Sequence, residues 1–285
     1  MIFVTSNFVL EKRINLRNSL NNEPLSCFSF YLIGISSIFV KQIITMYQKE
    51  FKAIVDYRRS NRKFDPAVQV PDEIVKSGLE SAILSPNSSN MQLWEFYWIK
   101  SEAELKRFVP LCLGQSAAAT AQQMVVFVTR KDLWSKRAQW NLSQIKGQMT
   151  GEPSSIEKNG LQYYGKVMPL LYRNDIFGFM TFLRKTICFF MGIKKPFMRF
   201  GGKADQRVMV HKSCALAAQT FMLSIAAAGY HSCPMEGFDQ KRVKKALGLP
   251  RGAEVNMIIS IGLGTEAGIW GPRFRVPFEE VVHER

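Results

Sequence analysis

The sequence of 285 residues is poor in the side chains that build metal centres and catalytic triads. It contains three histidines, far apart at 211, 231 and 283, and five cysteines, none of which forms a C-x-x-C pair. Zinc sites use closely spaced ligands and disulfide frameworks use paired cysteines, so neither is predicted. We therefore expect no metal site, and reduced thiols that fit a cytoplasmic protein.

Acidic residues are also scarce, with 23 Asp and Glu against 38 Lys and Arg and a net charge of +15. Such an excess would suit a nucleic acid or an anionic membrane. The basic residues, however, are spread along the chain, with local clusters at 58–63, 194–199 and 241–245, and no nucleic-acid-binding motif accompanies them. We therefore expect no nucleic-acid partner, and a small phosphorylated cofactor as the anionic ligand.

The N-terminal region lacks a hydrophobic run of membrane-spanning length. Residues 24–40 are uncharged, but they are fewer than the roughly 20 apolar residues that a spanning helix needs. The polar stretch 11–23 before them does not fit an ordinary signal peptide. Residues 1–45 are either a weak membrane-associated segment or an extension upstream of a true start at Met46, which we favour slightly. The predicted domain is residues 46–285.

Three apolar segments, 94–99, 123–129 and 255–262, predict strands, the first of them buried on both faces. Helical patterns surround them, the strongest over 205–228, and residues 151–160 have the composition of a loop. No regular strand–helix repeat is present, and the glycines at 262 and 264 do not extend into a dinucleotide-binding fingerprint. A mixed sheet covered by helices is therefore predicted.

Residues 161–200 combine many Phe, Met, Leu and Ile residues with scattered Lys and Arg. Three interpretations fit a helical insert of this kind. It could cover a substrate, it could form a basic amphipathic surface that touches a membrane, or it could pack as a helix pair at a subunit interface. Of the three, we favour the subunit interface.

Two polar segments carry the strongest functional signal. Residues 58–62 place three guanidinium groups and one hydroxyl within five positions. These groups suit a phosphate, because each guanidinium fork gives paired, charge-assisted hydrogen bonds. Residues 85–94 form a turn of Ser, Asn and Pro whose small side chains expose backbone N–H and C=O groups. Together the segments predict a site for a planar, phosphorylated cofactor.

Four motifs share an order along the chain. They are R-R-S-x-R at 58–62, S-P-x-S-x-N-x-Q-x-W at 85–94, P-x-E-G-F-D at 234–239 and R-x-R-x-P at 273–277. With these motifs the chain resembles the FMN-dependent nitroreductase family, which includes oxygen-insensitive nitroreductases and flavin reductases. The resemblance implies an α+β fold with a central mixed, mainly antiparallel sheet flanked by helices. It also implies a homodimer that exchanges C-terminal arms and holds two FMN molecules at the subunit interface.

The resemblance assigns residues to the phosphate end of FMN by position. The phosphate and ribityl chain would be bound by Arg58, Arg59, Ser60 and Arg62. The phosphate cage would be completed by Arg273 and Arg275, which lie late in the chain.

The resemblance also assigns residues to the flavin ring. From the other subunit, the ring would be lined by Pro86, Asn87 and Ser88. One flavin face would be followed by Pro234, Met235, Glu236 and Gly237, with a backbone N–H near flavin N5. The pyrimidine edge would be met by Gln115. The chain departs from the family's usual residues at Asn87, where Ser is common, and at Leu93, where Pro is common.

The activity implied by the resemblance is ping-pong hydride transfer. NADH or NADPH would reduce the flavin at N5, and a nitroaromatic, quinone or similar small conjugated acceptor would then reoxidise it. Since the flavin performs the chemistry, no catalytic side chain is predicted. Amide donors and cations near flavin N1 and O2 would favour the negatively charged reduced form. The alternative is a non-catalytic flavin carrier or sensor at a membrane surface, with residues 161–200 as its contact.

Overall fold

The computed structural model describes residues 45–199 and 201–285. Contacts divide the chain into two units, residues 1–53 and residues 54–285. Within the first unit the described residues, 45–53, are helical. The predicted N-terminal extension therefore lies outside the described residues up to position 44.

The described chain contains eleven α-helices and four strands. The helices are α1 (residues 45–57), α2 (Asp72–Ile83), α3 (Glu102–Leu111), α4 (Ser116–Ala119), α5 (Trp134–Gln148), α6 (Ser155–Gln162), α7 (Met168–Tyr172), α8 (Phe179–Lys194), α9 (Lys203–Ala227), α10 (Gln240–Ala246) and α11 (Phe278–Val281). The strands are β1 (Trp94–Ile99), β2 (Gln123–Thr129), β3 (His231–Met235) and β4 (Glu254–Gly262). The predicted α+β class is confirmed.

The four strands form one sheet in the order β1-β2-β4-β3, and all three strand pairs are antiparallel. A parallel bridge joins Ser60 to Ser232 of β3. The prediction of a mainly antiparallel sheet is confirmed. Strand β3 was not predicted, because Pro234 interrupts its pattern. Proline lacks an N–H for the ladder and is tolerated on an outer strand such as β3.

Two further sequence predictions were wrong. Strand β1 is not buried on both faces, since residues 95–98 are half-buried at the edge of the described sheet. Residues 151–160 are not all loop, because α6 begins at Ser155. Its start carries a capping box, in which the Ser154 side chain and the Glu157 side chain each bond the other's backbone N–H.

The sheet lies between two hydrophobic layers. Strand β2 is buried along its whole length, and its alternate side chains enter different clusters. Met124 and Val126 pack with Phe108 of α3, whereas Phe127 packs with Phe221 of α9. Helices therefore cover both faces of the central strands.

Helix α9 is long and apolar enough to cross a membrane by length and composition. Its residues Cys214, Ala217, Phe221 and Ile225 are fully buried in the cluster shared with the sheet and α2. Small side chains at 217 and 218 allow this close packing. The burial identifies α9 as a core helix of the fold.

Candidate functional site

The segment that follows α1 lies beside strand β3. Ser60 forms a parallel bridge with Ser232, and Phe64 forms an antiparallel bridge with Gly264. Between them Asn61 is buried. Its Nδ2 donates to the Thr265 carbonyl at 2.8 Å, and its Oδ1 accepts from Lys63 N at 3.0 Å. Asn61 therefore ties this early segment to the residues after β4.

Glycines after β4 make room for this segment. A Cβ atom at Gly264 or Gly268 would overlap the Asn61 side chain, and one at Gly262 would lie 2.6 Å from Phe64 Cβ. The glycines at 262 and 264 thus allow a close approach of chain segments, which is a packing role and not a nucleotide fingerprint. The sequence carried no recognised signal for Asn61.

Arginines from residues 58–62 and from the C-terminal residues 273–275 line one cavity of about 250 Å³. This arginine cavity is lined by Arg58, Arg59, Ser60, Arg62, Trp270, Pro272, Arg273, Phe274 and Arg275. All six residues assigned by resemblance to the phosphate end of FMN are among them. Trp270, Pro272 and Phe274 were not assigned, although the first two precede the R-x-R-x-P motif and Phe274 lies within it.

Backbone carbonyls hold part of the arginine cavity in place. Arg59 Nη2 donates to the Gly271 carbonyl at 2.9 Å. Arg273 Nη2 donates to the carbonyls of Asp56 and Arg58, each at 2.8 Å, where α1 ends. These bonds fix the C-terminal tail against the end of α1 and satisfy carbonyls that a helix end leaves unpaired.

The charge of the arginine cavity is not balanced by carboxylates. Among the described residues, none of its five arginines forms an ion pair with Asp or Glu. The Arg62 guanidinium instead lies 4.2 Å from the centroid of the Trp270 ring. Burial lowers the pKa of Arg58, and the positive charges of Arg273 and Arg275 lower it further. A bound anion would relieve this repulsion, so the cavity suits a phosphate.

Cys233 lies beside the arginine cavity but is suited to packing. It is buried, and burial raises the pKa of its thiol, although the nearby charges of Arg62 and Arg58 oppose that shift. A protonated, buried thiol is a poor nucleophile. Among the described residues, no group of three or more His, Cys, Asp or Glu side chains could hold a metal ion.

The residues assigned to one flavin face lie at the end of β3. Pro234 is half-buried, Met235 is buried, and Glu236 and Gly237 are exposed. Gln115 Nε2 donates to the Gly237 carbonyl at 2.5 Å and to the Cys112 carbonyl at 2.9 Å. The structure therefore brings Gln115 to the segment 234–237, and bridge Ser60–Ser232 connects this segment to the arginine cavity along the sheet edge.

The turn assigned to the partner's flavin ring has an unusual backbone. Ser89, Asn90 and Gln92 adopt positive φ values of 56°, 48° and 47°. Such values are uncommon in residues other than glycine, and they concentrate at functional sites. Asn87 Oδ1 accepts from Gln92 N at 2.8 Å, and Ser88 N donates to the Ser213 hydroxyl of α9 at 3.1 Å. These bonds hold the strained turn in one conformation.

The helical insert, residues 161–200, supports the turn at residues 85–94. Residues Tyr163–Val167 form a π-helical segment between α6 and α7. Tyr164 OH donates to the Ser89 carbonyl at 3.0 Å, and Tyr163 OH lies 2.7 Å from the Ser89 hydroxyl. π-helical segments frequently occur at functional sites, because their extra residue redirects side chains.

The turn does not reach the arginine cavity of its own protomer. Ser88 instead lines a second, mainly apolar cavity of about 350 Å³. This apolar cavity is lined by Ser88, Ser89, Tyr163, Val167, Met168, Leu170, Leu171, Arg184, Ile187, Cys188, Phe197, Met198, Gly201 and Met209. No residue lines both cavities. One protomer therefore brings together the phosphate-end residues but not Pro86, Asn87 and Ser88.

Comparison with known sequences gives matches over most of the chain. The sequence model of the nitroreductase family matches residues 55–263. Protein DrgA of Synechocystis sp. is 27% identical over 211 residues, which are 73% of this chain and 81% of that protein. NADH dehydrogenase of Thermus thermophilus is 26% identical over 227 residues, which are 79% of this chain and 91% of that protein.

A comparison with solved structures supports the same fold. A provisionally named nitroreductase of Exiguobacterium sibiricum, crystallised in complex with FMN, has a TM-score of 0.58 and 23% identity. The match covers 82% of this chain and 97% of that protein. At this identity the likeness shows a shared fold, and the FMN is a property of that neighbour.

Proposed function

This chain belongs to the nitroreductase family, and from that premise we propose that it is an FMN-dependent NAD(P)H oxidoreductase. Its acceptor would be a nitroaromatic, a quinone or a similar small conjugated molecule. A relative named NADH dehydrogenase and a structural neighbour in complex with FMN support the cofactors. The arginine cavity is the observation that carries the proposal, because its unpaired cations fit the phosphate of FMN.

The residues of the arginine cavity would divide the work at the phosphate end. Arg58, Arg62 and Arg275 would bind phosphate oxygens, together with the Ser60 hydroxyl. Arg59 and Arg273 donate to carbonyls of distant segments, so they would chiefly shape the cavity and add charge. The carbonyl acceptors of Arg62 and Arg275 lie within two residues of each arginine, so these two side chains do not tie segments together. Arg62 lies over Trp270, which limits the directions in which its guanidinium can point.

The ring end would be built from two chains. The exposed segment 234–237 would contribute backbone groups along one face, and Gln115 would contribute its amide oxygen at the pyrimidine edge. A second copy of the chain would contribute Pro86, Asn87 and Ser88. We therefore propose a homodimer, since neither the arginine cavity nor the apolar cavity contains both ends of the site.

The mechanism needs little acid–base help from the protein. Bound FMN would supply hydride acceptance and hydride donation at N5. The chain's own part is to bind the phosphate, to orient the ring and to place N–H donors where negative charge develops. Donor and acceptor would use the same open ring face in turn, which gives a ping-pong order. The free, buried cysteines 112, 188, 214 and 233 fit a cytoplasmic location.

Anaerobic mixing with NADH or NADPH tests this proposal. The purified protein, reconstituted with FMN, should lose the visible absorption of oxidised flavin within seconds. It should regain that absorption when a quinone or nitroaromatic is added. Persistent colour after addition of both nucleotides would favour the alternative, a flavin carrier or sensor without turnover. A protein that binds no FMN on reconstitution would contradict both functions.

A further inference from the structure

Helix α8 turns an apolar face towards solvent. Five of its large side chains, Phe179, Phe182, Phe189, Phe190 and Ile193, are each between 59% and 69% exposed. At about 100° of rotation per residue they fall within a sector of about 100° on the helix. Ile176 and Phe177, immediately before α8, are exposed still further, at 93% and 96%. Together these seven residues form the phenylalanine face.

The opposite side of α8 is anchored by a buried arginine. Arg184 is 3% exposed, and its five N–H groups all have acceptors. They donate to the carbonyls of Leu170, Arg173 and Gly201 and to the side-chain oxygens of Asn174 and Thr181. Because this anchor fixes the rotation of α8, the outward direction of the phenylalanine face is built into the fold.

The charged side chains that flank the phenylalanine face on α8 are positive, whereas the carboxylate of Asp175, just before the face, caps the helix by accepting from the N–H groups of Phe179 and Met180. Lys185 and Lys194 are exposed and lie on opposite sides of it on the helical wheel. From residue 176 to residue 204 the sequence contains six Lys and Arg residues and no Asp or Glu. Long lysine side chains can place their charges at phosphate level while their stems lie along apolar neighbours.

We propose that the phenylalanine face binds the surface of a membrane that contains anionic phospholipid. The aromatic side chains enter the boundary between headgroups and acyl chains, and the flanking lysines contact lipid phosphates. Helix α8 lies in the plane of the surface, because its 16 residues span only about 24 Å, less than the ~30 Å hydrocarbon layer.

Charge favours a membrane over a second copy of the chain as the partner of the phenylalanine face. If two copies paired by placing this face against itself, their lysines would meet, and the neighbouring Asp175 carboxylate is already bonded to the N–H groups of Phe179 and Met180. Like charges brought together in this way oppose association. The favoured sequence interpretation, a subunit interface, therefore fits this face less well than an anionic surface does. The proposal does not depend on flavin chemistry.

Vesicle co-sedimentation with the full chain tests the proposal. The protein should bind vesicles of phosphatidylcholine containing phosphatidylglycerol, bind phosphatidylcholine vesicles less, and detach as salt is raised. Phe182→Ser with Phe189→Ser should lower binding by at least about tenfold, since two aromatic side chains lose their burial. Lys185→Glu with Lys194→Glu should weaken binding to anionic vesicles only.

Matched control variants show whether any loss of vesicle binding is specific to the phenylalanine face or follows from any change in exposed apolar or charged side chains. Ile83→Ser with Ile156→Ser removes two exposed apolar side chains elsewhere, and Lys241→Glu with Lys245→Glu reverses two exposed charges on α10. Both should bind vesicles as the unaltered protein does. Absence of binding to anionic vesicles, or unchanged binding by the Phe182/Phe189 variant, would overturn the proposal. So would dissociation of the protein's oligomer by that variant in sedimentation equilibrium, because the face would then be a subunit contact.

Discussion

Arg58, Arg59 and Arg62 lie within five positions of one another, yet their environments differ. Arg59 donates to the Gly271 carbonyl, and Arg62 lies over the Trp270 ring. Arg58 is partly buried next to two further cations, which lower its pKa. The sequence pattern could predict a phosphate site from the three guanidinium groups. It could not predict their separate contacts, because each depends on residues more than two hundred positions away.

His231 is a second residue whose role follows from its contacts. Its Nδ1 accepts from Gly264 N at 3.1 Å, and its ring lies against Tyr57 with centroids 4.9 Å apart. Burial lowers the pKa of His231. An Nδ1 that accepts a backbone N–H carries no proton, so the folded protein holds the neutral imidazole with its proton on Nε2.

This environment predicts a pH dependence of stability. The unfolded histidine has a pKa of about 6.5, above its folded value, so the unfolded state binds more protons at acid pH. Stability due to His231 is present above about pH 6.5 and is lost as the pH falls through the folded pKa. His231→Gln should reduce the loss in free energy of unfolding between about pH 7.5 and about pH 5.5 by roughly 0.5 kcal/mol.

Urea denaturation at the two pH values measures this change. The unaltered protein, measured at the same two pH values, is the control. Carboxylates titrate mainly below this window. An identical pH dependence in His231→Gln and the unaltered protein would show that His231 is not the group responsible.

At the scale of elements, hydrophobic patterning predicted the helices and strands whose apolar pattern is regular. Apolar runs predicted β1, β2 and β4, and the alanine-rich pattern predicted α9. It missed β3, in which Pro234 breaks the strand signal, and the start of α6, where the capping box at 154–157 was the available clue. Burial of β1 was overestimated because an apolar sequence cannot reveal that a strand lies at the edge of a sheet.

The C-terminal arm is exposed along its whole length in one protomer. Residues 270–285 are all exposed, and α11 presents Phe278 at 69% and Val281 at 62% exposure. Apolar side chains at such exposure suit an arm that packs on another chain, as the arm exchange predicted from the family resemblance requires.

Substitutions in α11 test the arm exchange. Phe278→Ser with Val281→Ser should raise the dimer dissociation constant at least about tenfold, since burying each side chain contributes about 1.5–3 kcal/mol. Sedimentation equilibrium measures the constant, and Ile156→Ser is the control for an exposed apolar side chain outside the arm. A protein that is monomeric at every concentration, or a dimer that the double substitution leaves unchanged, would exclude this role.

At the scale of the whole molecule, sheet order explains how distant segments meet. Strands β3 and β4 pair at one side of the sheet, and the segment 58–64 is bridged to Ser232 of β3 and to Gly264, just after β4. The tail after β4 therefore begins next to the residues that follow α1. Composition and periodicity contain no information on such long-range register. The meeting of the early and late segments was predicted only through the resemblance carried by the four ordered motifs. The match to the family model over residues 55–263 confirms that resemblance.

The central claim, that the arginine cavity binds the phosphate of FMN, is tested most directly by comparing FMN with riboflavin, which lacks the phosphate. Titration calorimetry should show that the unaltered protein binds FMN on the order of a hundredfold or more tightly than riboflavin. Arg58→Ala and Arg275→Ala should each weaken FMN binding by about 1.5–3 kcal/mol and leave riboflavin binding nearly unchanged. Arg251→Ala, an exposed arginine outside the cavity, should change neither. Equal affinities for FMN and riboflavin, or an undiminished FMN affinity in both cavity variants, would contradict the account.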